Sequence, residues 1–135
     1  MKTNYKNLFL LLCFVSTMAY SQQTVFFDFG DSGAPTSGNY NNPPLAPNNL
    51  ANEITDLVND AGSLTGFGWT IHDAFEWRNT SGISMPTGDA AIFDSEATND
   101  SYFGSTTATE NENGGFTLTG LNDSYYYSFE IFASR

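Results

Sequence analysis

Lysine is nearly absent from this chain, and its placement matters more than its number. The 135 residues carry four Lys and Arg against 15 Asp and Glu, a net charge of −11. Both lysines, Lys2 and Lys6, sit at the extreme N-terminus, and beyond them only Arg78 and Arg135 are fixed cations. A surface this acidic repels polyanions, which excludes nucleic acid and anionic lipid as partners. Cysteine is as scarce. The one thiol, Cys13, lies in an N-terminal apolar run, so the remainder has no disulfide and must be held by packing or bound ions. The one histidine, His72, has no second His or Cys to build a zinc site with. No apolar run reaches the ~20 residues a spanning helix needs, so membrane insertion is not expected.

What is present begins with a leader. Lys2 and Lys6 precede an almost wholly apolar stretch over residues 8–19, and Ala19-Tyr20-Ser21 puts small residues where a signal peptidase reads them. Residues 1–21 are expected to be a secretory signal cleaved near Ser21, leaving 22–135 as one secreted or cell-surface domain. Cleavage removes both lysines, so two arginines face all 15 acidic residues and the net charge becomes −13.

The high Phe and Tyr content argues against disorder, and short apolar runs among Thr, Asn and Gly predict an all-β domain. Residues 24–29 read as a strand with Val25, Phe27 and Phe29 on one face and Phe26 and Asp28 on the other. A long Pro- and Gly-containing loop follows over 31–47. Leu50, Ile54, Leu57, Val58 and Ala61 recur at helical spacing, which predicts one short helix ended by a left-handed Gly62. Residues 67–77 alternate with Phe67, Trp69 and Ile71 inward. Residues 89–93 and 101–103 are weaker strands. Residues 116–119, a turn over 120–124 and residues 125–133 predict a hairpin. About six strands are countable where a sandwich uses roughly seven or more. The expected architecture is a jelly-roll-like β-sandwich with one short helix, incomplete at the C-terminus and continuing beyond Arg135.

Several residues are candidates for chemistry. Gly30-Asp31-Ser32 at the end of an apolar strand is how the nucleophile block of a GDSL-type esterase begins, with Ser32 as nucleophile. Its partners do not follow. Gly33-Ala34-Pro35 breaks the helix the nucleophile should start, and the residue three before His72 is Trp69 rather than Asp. Ser32 therefore reads as a loop serine, the esterase being kept as an alternative. Trp77, beside Glu76 and Arg78, is an exposed aromatic platform, with Tyr40 and Tyr102 as further ligand-binding aromatics, while Trp69 belongs to the core. Arg78 reads as an ion pair inside the fold, or alternatively as a fork for a ligand carboxylate or hydroxyl. Asp94, Glu96 and Asp100 are hard oxygen donors suited to a structural calcium, although they lack the glycine and final glutamate of an EF-hand loop and read more plainly as a solvated loop.

Phe27-Asp28-Phe29-Gly30, Thr36-Ser37-Gly38-Asn39-Tyr40-Asn41-Asn42, Gly66-Phe67-Gly68-Trp69-Thr70-Ile71 and the closing stretch from Phe116 to Arg135 together resemble the N-terminal module of large secreted proteins of Bacteroidetes, a type of cargo of the type IX secretion system. The closing block is also similar to malectin-like and galactose-binding-like jelly rolls. The resemblance implies a fold and an export route, with non-catalytic carbohydrate or extracellular-matrix binding as the working expectation. A structural spacer in a surface protein is the alternative, and no cofactor beyond calcium is expected.

Overall fold

The computed structural model describes residues 22–106 and 113–133; the leader expected at 1–21 lies outside them. The fold is all-β, and the described residues hold seven short strands in three small sheets. β1 (Phe26–Phe27) pairs in parallel with β2 (Tyr40–Asn41). β3 (Glu53–Ile54), β4 (Gly68–Asp73) and β7 (Gly115–Thr119) form an antiparallel sheet with β4 in the middle. β5 (Trp77–Asn79) and β6 (Ser101–Phe103) form an antiparallel ribbon, with the short helix α1 (Ser95–Asn99) between them in the chain. Among the described residues, no helix is long and apolar enough to cross a membrane.

β4 supplies the centre of the core. Period-two alternation buries Trp69 and Ile71 at 2% and 3% exposure and turns His72 outward. Leu57 completes the fully buried set, and Val25, Phe27, Phe29, Phe67, Phe75, Tyr102 and Leu118 pack around it. Val25, Phe27 and Phe29 thus share the core-facing side that their spacing predicts, although the paired part of that strand shrinks to Phe26–Phe27. Likewise, the stretch expected to be extended over 67–77 is broken into β4 and β5, with a register irregularity between Ile71 and Asp73.

The helix predicted over residues 50–61 does not form. Glu53–Ile54 is a strand there, Leu50 is exposed, and Val58 bridges to Leu64. Asn and Asp side chains take the backbone groups a helix would use. Asn49 Oδ1 accepts from Ala51 N at 2.9 Å, Asn59 Oδ1 accepts from Ser63 N at 2.9 Å, and Asp56 Oδ1 accepts from Gly66 N at 2.8 Å. Asn41 reaches in from β2 and holds Val58 by both its N–H and its C=O. Each such bond offers the chain an alternative to the helical ladder, and together they win. Among the described residues the α-helix lies instead at Ser95–Asn99, and the strand predicted at 89–93 is the 3-10 helix Gly88–Ile92.

The predicted hairpin forms only by half. Gly115–Thr119 pairs with β4, but residues 125–133 pair with no strand. The turn after β7 closes on itself: Tyr125 N donates to Asn122 O, and the Tyr127 hydroxyl accepts from Asn122 N and donates to Asn122 O. Tyr127 and Phe132 then meet Phe67 and Phe93 through their rings, leaving Tyr126 and Ile131 in solvent.

Candidate functional site

The β5–β6 ribbon gathers most of the residues that the sequence marks for recognition. Its register sets Trp77 opposite Phe103 and Arg78 opposite Tyr102. Trp77 and Phe103 are 45% and 39% exposed, so two aromatic side chains stand next to each other across the ribbon on its solvent side. Tyr102 turns the other way. Its ring lies 5.8 Å from Phe29 and 5.3 Å from Phe75, and burial pushes its phenol up to about 12. Tyr102 is therefore a core aromatic and not a ligand platform, a correction that follows from the side of the strand it occupies.

Arg78 works at the junction of the two sides. Its guanidinium carbon lies 5.1 Å from the Trp77 ring centroid, and its Nε is 3.1 Å from Asp31 Oδ2. The N–H is not aimed at that oxygen, so the pair is a charge contact rather than a directed hydrogen bond. The ion pair expected inside the fold is present, partly exposed on both sides. Arg78 thus contacts both the Trp77 ring and the Asp31 carboxylate.

The ribbon is carried by α1. Asp94 caps the helix, accepting from Glu96 N at 2.9 Å, and buried Thr98 donates to Ile83 O at 2.6 Å. Asp100 follows directly and points back at the turn after β1, accepting from Asp31 N at 2.8 Å. That turn also holds Asp28, only 2% exposed, which accepts from the Thr36 hydroxyl at 2.8 Å. Burial, together with the nearby Asp100, raises Asp28 from 3.8 to about 6, and burial also raises Asp100.

The remaining candidates are dispersed. Tyr40 stands in another sheet, stacked on Phe26 at 5.2 Å with its hydroxyl accepting from Asp94 N. It borders a shallow groove of ≈ 460 Å³ walled also by Asn42, Glu53 and Asp56. Asp94, Glu96 and Asp100 are each engaged separately: Asp94 caps α1, Glu96 takes Ser37 N at 3.3 Å, and Asp100 takes Asp31 N. Among the described residues, no group of three or more His, Cys, Asp or Glu is arranged to hold a metal ion. Ser32 lies exposed in a turn where Gly33 N donates to Asp31 Oδ1 and Ala34 N to Asp31 O, while His72 Nδ1 is engaged by Thr117 Oγ1 at 3.1 Å. Among the described residues, no hydrogen bond joins Ser32 to that imidazole.

Sequence reasoning passes over Phe103 and Asp28. Phe103 closes a weak three-residue strand, and its role depends on a pairing with β5 that local pattern does not encode. Asp28 carries a readable signal, an acid set between Phe27 and Phe29, but the alternation places it with Phe26 on the face opposite Val25, Phe27 and Phe29. Comparison with family models, with curated proteins and with solved structures finds no match in any of the three.

Proposed function

We propose that this domain is a secreted or cell-surface, non-catalytic module that binds carbohydrate on the β5–β6 ribbon. The observation that carries the reading is the exposed cross-strand pair of Trp77 and Phe103. A flat aromatic surface suits the C–H face of a sugar ring, and the Arg78 guanidinium limits the rotamers of Trp77, which lowers the ordering cost of binding. The acidic surroundings supply acceptors for sugar hydroxyls and repel anionic competitors. Export follows from the character of residues 1–21, and a jelly-roll-like sandwich is the form of all-β fold that the resemblance of the chain implies.

Glycan-array screening followed by calorimetry tests the proposal. Trp77→Ala is expected to raise Kd at least tenfold for any sugar that binds, while changing stability by about 1 kcal/mol or less, because the side chain is already half in water. Binding that survives both Trp77→Ala and Phe103→Ala places the ligand elsewhere. No binding on the array favours a structural spacer.

A further inference from the structure

We propose that Asp28 and Asp100 share a single proton, and that this proton latches the turn after β1 to the α1–β6 junction, so that the domain is tightest in acid and loosens toward neutral pH. The geometry leaves little choice. Asp28 Oδ2 is satisfied by the Thr36 hydroxyl and Asp100 Oδ2 by Asp31 N. The other oxygen of each carboxyl, Asp28 Oδ1 and Asp100 Oδ1, is buried and meets no donor. The two carboxyl groups lie side by side, each close enough to act on the other's proton affinity. Two ionised carboxylates have no hydrogen between them, so the contact requires one proton.

The surroundings say which residue holds it. Asp100 has a backbone N–H, and Arg78 favours its charge. Asp28 is held by Thr36 alone, has no cation beside it and lies deeper, so the proton resides on Asp28 and is donated to Asp100. The groups facing the pair are Thr36 from the loop, Asp31 from the turn, and Arg78 and Tyr102 from the ribbon. Arg78, the one cation among them, already meets Asp31, and the phenol of Tyr102 stays neutral throughout the range concerned. Losing the proton therefore adds a negative charge to a cluster whose one cation is already met by Asp31. Gly30 makes the close approach possible: the Asp100 carboxyl rests where a Cβ would stand.

The folded state holds the Asp28 proton to about pH 6, whereas the unfolded chain releases it near 3.8. A folded value above the unfolded one gives stability that is complete below about pH 4 and is lost as the pH rises through 6. The folding equilibrium constant is expected to fall on the order of a hundredfold across that window.

The test is denaturation of the full chain at steps from pH 4 to 7.5. Wild type should lose stability with rising pH, and Asp28→Asn, whose amide donates to Asp100 at any pH, should lose most of that slope. Equal slopes in the two proteins overturn the proposal. Should Asp28→Asn fail to fold, the carboxyl carbon resonance of Asp28 in wild type decides: a midpoint near 6 supports the latch and one near 4 overturns it. Calcium that restores the stability of wild type at pH 7, but not of Asp28→Asn, would also overturn it, showing a cation between the oxygens rather than a proton.

Discussion

Trp69→Ala is expected to cost ~3–5 kcal/mol, enough to leave much of the population unfolded if the domain has the usual total of about 5–15 kcal/mol. Fully buried apolar residues are few here, Leu57, Trp69 and Ile71, and Trp69 is the largest. Its ring lies 5.0 Å from Phe27, 6.1 Å from Phe29 and 6.3 Å from Phe116, so it joins β1 to both β4 and β7. Truncation opens a cavity that three aromatic neighbours on short strands fill poorly. Trp69→Phe separates packing from polarity. The indole N–H meets no acceptor among the described residues, so phenylalanine removes a buried orphan donor while keeping most of the ring. Its loss should be at most ~2 kcal/mol. Urea denaturation followed by far-UV circular dichroism measures both variants, and a loss under ~1 kcal/mol for the alanine would show that Trp69 does not organise the core.

Gly120→Ala should be the most damaging single methyl group in the chain, at ~3 kcal/mol or more. Gly120 leaves β7 with φ 77°, where an L side chain is strained. Any Cβ there would also overlap the carbonyl oxygen of Gly66, a backbone atom that cannot rotate aside. Gly38→Ala isolates the first effect from the second. Gly38 has φ 79°, but open space surrounds the position, so its cost should be only the ~1–2 kcal/mol of backbone conformation. If the two variants lose equal stability in the same urea titration, the approach of Gly66 to Gly120 contributes nothing.

The sequence marks Trp69 as inward and Trp77 as outward correctly, one by alternation and one by its charged neighbours. It also pairs Arg78 with an internal carboxylate, since a lone cation among so many acids seldom lacks one. It misjudges the stretch at 50–61 because helical spacing of apolar residues says nothing about Asn41, Asn49, Asp56 and Asn59, whose side chains claim the backbone first. It misjudges residues 125–133 for a related reason. Alternation describes a segment able to join a sheet, not whether an edge is offered to it.

Composition and short-range pattern by themselves determined the β class, the acidity without lysine in the expected mature chain, and the placing of Trp69 inward and Trp77 outward. Those follow from what each side chain gains or loses in water, a property of the residue and its immediate neighbours. Only the tertiary structure decided that Phe103 would stand beside Trp77, that Tyr102 would turn inward, and that Asp28 and Asp100 would meet face to face. The last pair lies 72 positions apart in sequence. Their meeting depends on how β1, α1 and β6 pack, and no local preference of either aspartate encodes it.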